Sequence, residues 1–215
     1  ASVAGFYSTM SADYERAKAY ALGRLASELS PKLTYHSLHH TRDDVLPAAV
    51  RLAQAADVNG EALLCLTTAA LFHDIGFLCN YDEHERGSIA IARAALPHCG
   101  YTPEQIETIA GLIAATKMPQ RPQTPLEQLL CDADLDLLGR DDFWELNRRL
   151  RDELYSYTGR PIAEGEWLRD QRRFLEEHVY FSPTARALRN EGKARNVALM
   201  QQALNRLNGS AAHSA

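Results

Sequence analysis

The chain has 215 residues, 46% of them hydrophobic and 24% charged, a balance that excludes disorder and collagen-like repeats. Its 23 Lys and Arg against 28 Asp and Glu leave a net charge of −5, so bulk binding of a nucleic-acid backbone is not expected. No apolar run reaches the ~18 residues of a membrane span, and Ala1–Met10 has neither the basic nor the apolar part of a signal peptide.

Composition also selects the fold class. There are 32 Ala and 29 Leu against 6 Val and 7 Ile. Ala and Leu lose little entropy in helices, whereas β-branched residues favour strands. The expectation is an all-α protein. The first helix is predicted over Ala12–Leu29, ended by Pro31. A His-rich segment follows at Tyr35–Thr41, and the next helix starts at Asp43 or Asp44 and stops near Asn59-Gly60. An apolar helix is predicted over Glu61–Phe77, and another over Glu85–Leu96, closed by Pro97 and Gly100. Thr102-Pro103 and Thr124-Pro125 each give a capping Thr, Pro at the first helical position and Gln or Glu three residues after the cap. Helices over Asp142–Tyr155, Ala163–His178 and Ser182–Leu207 complete a single compact domain of roughly nine helices. In this reading residues 1–30 are a helix packed on the domain, 31–208 its body and 209–215 a flexible tail. The cysteines Cys65, Cys79, Cys99 and Cys131 form no CxxC pair and read as buried free thiols of a reducing, cytoplasmic compartment. Trp144 and Trp167 read as core.

Three patches carry candidate chemistry. On the helix from Glu61, Leu63, Thr67 and Ala70 share a stripe, and Asp74 falls in its middle with His73 at the edge. A carboxylate on the most buried face is costly unless it is paired or metal-bound. Upstream lie His36, His39 and His40, the first and last sharing a face if the segment is helical. Downstream, Asp132, Asp134 and Asp136 follow Cys131. On the stripe of Leu126, Leu129, Leu130, Ala133 and Leu137, Asp134 and Asp136 lie ~80° to either side and Asp132 ~120° away, so Asp132 should be the more exposed.

Taken together, Tyr35-His36-Ser37-Leu38-His39-His40-Thr41, the run Ala69-Ala70-Leu71-Phe72-His73-Asp74-Ile75-Gly76, and Asp132-Ala133-Asp134-Leu135 resemble the HD superfamily of metal-dependent phosphohydrolases. The likeness continues through His84-Glu85-Arg86-Gly87-Ser88 and covers roughly residues 30 to 205. It implies an HD-like helical fold and one divalent metal ion (Mn, Fe, Ni, Co, Zn or Mg) held by His40, His73, Asp74 and Asp134, with Asp132 the alternative to Asp134. It further implies hydrolysis of a small phosphate ester, a nucleotide or cyclic nucleotide among the options, by a metal-activated water. Asp74 would orient that water, and Glu85 would act as acid or base. Members with two metals use two further histidines, and only His84 and His98 lie in the required interval. Lys117 and Arg121 are candidates for holding the phosphate, whereas Arg160, Arg189 and Arg195 read as structural ion pairs. Two other readings stand beside this one: a non-catalytic metal-containing regulatory or ligand-binding module, and a di-iron oxygenase. No membrane partner is expected.

Overall fold

The computed structural model describes residues 11–212; the expectations for Ala1–Met10 and for residues 213–215 lie outside them. Nine α-helices and no strand occur among the described residues. They are α1 (Tyr14–Glu28), α2 (Leu46–Ala55), α3 (Gly60–Phe72), α4 (His84–Ala95), α5 (Pro103–Ala115), α6 (Pro125–Asp134), α7 (Phe143–Thr158), α8 (Glu164–Glu177) and α9 (Pro183–Ala212). The all-α expectation holds. So do both capping boxes: Thr102 and Gln105 open α5, and Thr124 and Glu127 open α6, each pair exchanging side-chain and backbone hydrogen bonds. Trp167 is buried as expected and Trp144 half-buried against the core.

Helix α3 is the axis of the fold. Its residues from Cys65 to Phe72 are buried on every side, and α1, α2, α5 and α6 pack around it. A helix apolar all round belongs in a core. Among the described residues one stretch is apolar and long enough to cross a membrane, Gly60–Leu78, contrary to the expectation of none. It is mostly buried within the fold, and a turn at His73-Asp74 breaks it. Helices α7, α8 and α9 complete the domain. They meet the rest largely through the short 3₁₀ turn Asp136–Gly139.

Three boundaries differ from the sequence reading, and the first two bear on the site. The helix expected from Asp43 begins instead at Leu38 and passes through a widened π-turn, His40–Val45, before regular α2. Helix α3 stops at Phe72 rather than Phe77, because Asp74 takes up φ −104°, ψ 0° and a 3₁₀ turn, Ile75–Leu78, follows. Helix α9 runs past Gly209 to Ala212, where a tail was expected. Cys65, Cys99 and Cys131 are buried free thiols, whereas Cys79, on the turn after α3, is exposed.

Close backbone contact explains the glycine at the critical turn. A Cβ on Gly76 would lie 1.8 Å from the His84 carbonyl oxygen, so α4 sits directly on this turn. Ser88 of α4 locks the approach: its Oγ donates to the His73 carbonyl (2.5 Å) and accepts from Gly76 N–H (2.8 Å). Thus the backbone of the His-Asp pair is held by two hydrogen bonds from one buried side chain.

Candidate metal centre

Three chain segments bring their side chains to one point. His40 opens the π-turn; His73 and Asp74 follow the end of α3; Asp134 ends α6. Ligand atoms of His40, His73 and Asp74 all lie within 4.8 Å of one another, and all three residues are buried. His40 Nε2 stands 3.6 Å from Asp74 Oδ2 and 3.4 Å from Asp134 Oδ1. His73 Nε2 stands 3.2 Å from Asp74 Oδ2 and 3.5 Å from Asp134 Oδ1.

The wiring of His73 aims a lone pair at this point. Its Nδ1 lies 2.8 Å from the Ala70 carbonyl, which can only accept, so Nδ1 carries the proton and Nε2 is left for the cluster. His73 Nε2 and Asp74 Oδ2 are both buried, and neither has a hydrogen-bond partner. Buried polar atoms are nearly always satisfied, so two orphans facing each other call for a missing partner. Two imidazoles and one or two carboxylates suit a divalent transition-metal ion. The cluster His40, His73 and Asp74 can therefore hold a metal ion, and Asp134 adjoins it.

Electrostatics agree. Burial alone would lower the pKa of His73, but Asp74 and then Asp134 outweigh it and hold the imidazole well above its ordinary value. Burial would raise Asp74, but His73 and His84 outweigh it and hold the carboxyl well below the usual range; Asp134 is lowered likewise by His40 and His73. The negative field that retains a proton on His73 is the field that would retain a cation.

A cavity of about 250 Å³ opens beside the cluster, lined there by Asp74, Asp134, His84, Glu85 and His36. His84 is more than the second-metal option of the sequence reading. Its ring stacks on Phe77 with centroids 3.9 Å apart, and its Nε2 approaches Asp74 Oδ1 at 3.3 Å. Asp74 outweighs burial and raises its pKa. Glu85 lines the same wall, with Oε1 3.7 Å from His84 Nε2. His98 is exposed on the turn after α4, so it does not join His84 in a second site.

Other expectations change. Asp132 is not the exposed member of its trio but the most buried, at 1% exposure, because the α8–α9 junction covers it. Its two carboxylate oxygens accept from the Phe181 and Ser182 backbone N–H groups, each at 2.7 Å, which commits it to the chain entering α9. Asp136 is held by Arg51 and, through two bonds, by Arg189. Lys117 is exposed and pairs with Glu83, and Arg121 is exposed; neither lines the cavity. Arg189 and Arg195 form ion pairs as expected, with Asp136 and Asp141, whereas Arg160 forms none among the described residues.

Two contributors escaped the sequence reading. Glu153 of α7, fully buried, accepts from the Tyr35 and His36 backbone N–H groups and meets His36 Nδ1 at 2.5 Å. It anchors the segment that leads into His40, and His36 outweighs burial to hold its pKa low. The signal was present: Glu153 falls at helical spacing on the stripe of Phe143, Leu146 and Leu150. Gln120 Nε2 donates to Asp134 Oδ2 at 3.3 Å from a loop that gives no such signal.

No family model matches the chain, and neither does any curated protein or solved structure.

Proposed function

We propose that the chain is a metal-dependent hydrolase of a small phosphate ester, holding one divalent ion through His40, His73, Asp74 and Asp134. The carrying observation is the pair of buried atoms without a hydrogen-bond partner, His73 Nε2 and Asp74 Oδ2, beside a cavity. The resemblance to the HD phosphohydrolases, made on the same four residues, supports the reaction class. When bound, the ion supplies a Lewis acid for a phosphoryl oxygen and lowers the pKa of a water.

The chain's own groups would do the rest. Asp74 stands between the ion site and His84, so Oδ2 would be free for the ion while Oδ1 faces His84 Nε2 at 3.3 Å. His84, whose pKa Asp74 raises and whose side chain is one-fifth exposed, is placed to give a proton at Nε2 to a departing oxygen in the cavity. Glu85, with Oε1 3.7 Å from the same nitrogen, is placed to return it. Gln120 and Glu153 position Asp134 and the His40 segment from behind.

One observation favours a second reading. No Arg or Lys is among the described residues lining the cavity, as expected for a metal-containing ligand-binding module that hydrolyses nothing. Metal analysis with a phosphoester panel in Mn²⁺, Ni²⁺ or Mg²⁺ separates the two. We expect one ion per chain and turnover of a generic aryl phosphate, both lost in His73→Ala. Bound metal with no turnover of any ester would establish the second reading.

A further inference from the structure

Away from its acidic groups the cavity wall is apolar, supplied by Leu137, Leu138, Phe143, Leu150 and Phe174. Two amides interrupt it: Asn147 on α7 and Gln171 on α8. Their orientation follows from a third residue. The Trp167 indole can only donate, and its Nε1–H meets Asn147 Oδ1 at 2.7 Å. Asn147 must then donate through Nδ2, which it does to Gln171 Oε1 at 2.6 Å. With its oxygen engaged, Gln171 keeps its Nε2 hydrogens, and no group among the described residues accepts them. A rigid indole thus fixes, through two amides, a hydrogen-bond donor in an otherwise apolar wall.

The remaining charges are unfavourable to anions. Asp74, Glu85 and Asp134 are on the wall, with no Lys or Arg and only the imidazoles of His84, already facing Asp74 and Glu85, and of His36, already meeting Glu153, to oppose them. One phosphate can be matched by an ion in the cluster; further phosphates would face carboxylates and leucines, at a desolvation cost that nothing repays. The space suits a small body. A cavity of roughly 150 Å³ accepts benzene, so about 250 Å³ accepts a ring with a short substituent.

We propose that this cavity selects a compact, uncharged, apolar body carrying a hydrogen-bond acceptor for Gln171 Nε2, and rejects polyphosphates. Gln171 is the specificity-determining residue. The inference rests on the hydrolase reading only for the place of the phosphate. The substrate class that follows is the phosphate monoester of a ring alcohol with a carbonyl, ether or ring-nitrogen acceptor, not a nucleoside di- or triphosphate.

The test measures binding by calorimetry, so it does not depend on turnover. Benzyl alcohols with para-acetyl, para-isopropyl and para-carboxylate groups probe the body; the matching benzylphosphonates, with and without Mn²⁺, probe the cluster. The wild type should bind the acetyl body roughly three- to tenfold tighter than the isopropyl body, the range of one net hydrogen bond, and the carboxylate least. Gln171→Leu should erase the acetyl preference. Gln171→Glu keeps the oxygen that Asn147 needs but replaces the donor, and should reverse the preference; it decides the matter if the leucine variant does not fold. Equal binding of acetyl and isopropyl bodies, a preference that survives both substitutions, tightest binding of the carboxylate, or no binding of any body overturns the proposal. A Mn²⁺-dependent gain of phosphonate over alcohol reports on the cluster separately. If that gain is missing while the acetyl preference holds, the hydrolase reading falls and the cavity assignment stands.

Discussion

Helix α6 sends one aspartate to each of two buried regions, and these regions treat charge in opposite ways. On one side Asp134 joins His40, His73 and Asp74, where acids and imidazoles face one another and two atoms have no partner. On the other, Asp132 enters the α8–α9 junction, where two backbone N–H groups donate to its carboxylate, one to each oxygen, although burial still raises its pKa. Each region also holds a histidine whose ring nitrogens are shielded from water. His73 lies against two carboxylates and is held well above its ordinary pKa. His178 at the junction has neither nitrogen partnered, and burial pushes it down to about 4. Burial alone therefore does not mark a functional site. What separates the two regions is whether the partners of the buried charges are already supplied by the fold.

If the comparison is right, substitutions on the two sides should separate function from stability. The largest effect belongs to the cluster. His73→Ala or Asp74→Ala should remove the metal and lower hydrolysis by at least about a hundredfold, since even outlying partners of metal ligands are worth about 10–100-fold. Chelation of the wild type should imitate the loss. An ion binding only the folded state at a hundredfold excess over Kd adds about 2.7 kcal/mol, which is roughly 5–10 °C in Tm for a chain of this size. Metal content, aryl phosphate turnover and melting curves check this. Full metal occupancy in Asp74→Ala would break the assignment.

The next effect belongs to the junction. Asp132→Ala strands two backbone donors, one buried and one partly buried, and should cost about 2–4 kcal/mol in denaturant unfolding while leaving metal content unchanged. Asp132→Asn keeps one acceptor and should cost less. Asp134→Ala should show the reverse pattern, with metal lost and the stability of the metal-free protein nearly kept. A metal-free but fully stable Asp132→Ala would exchange the roles of the two residues.

Much of this was legible in the sequence, and the exceptions have physical causes. Capping boxes at Thr102 and Thr124 are local and were readable in full. The four cluster residues were readable through their motifs, because Gly76 and Ser88 impose local constraints on the His-Asp turn. Helical phase failed for Asp132, since it records only the angle on α6 and not what later chain lies over it; the junction arrives fifty residues downstream. The reading of Asp43 or Asp44 as a helix start failed too, because both already lie inside the π-turn that leads into α2. Lys117 and Arg121 were chosen for charge and proximity in sequence, but their loop directs them to solvent. Glu153 and Gln171 depend on contacts between distant helices, and only the position of Glu153 on an apolar stripe hinted at one.

The smallest expected effect concerns His178, and its sign sharpens the comparison. An unfolded histidine takes up its proton near pH 6.5, whereas folded His178 does so near 4. Between those values the unfolded chain binds more protons at this site, so stability must fall as pH drops from about 6.5 to 4. The metal-free cluster should contribute almost nothing in that window. His73, with a raised folded pKa, adds stability that is complete below about 6.5 and is lost only as pH rises through the higher value. Asp74 and Asp134, with lowered folded values, add stability that is complete above about 4 and is lost only as pH falls further. The window therefore reports on the junction, where His178 drives the decline and Asp132, whose carboxyl burial raises, opposes part of it. Because His178 retains some exposure, we expect about 1–2 kcal/mol of lost stability rather than the full shift. His178→Phe should flatten the decline between pH 6.5 and 4 in metal-free protein, and His73→Ala should leave it in place. Denaturant unfolding at half-unit pH steps measures both. A decline that survives in His178→Phe and vanishes in His73→Ala would show that the titrating charge lies in the cluster, and that the two regions are not electrostatically opposite.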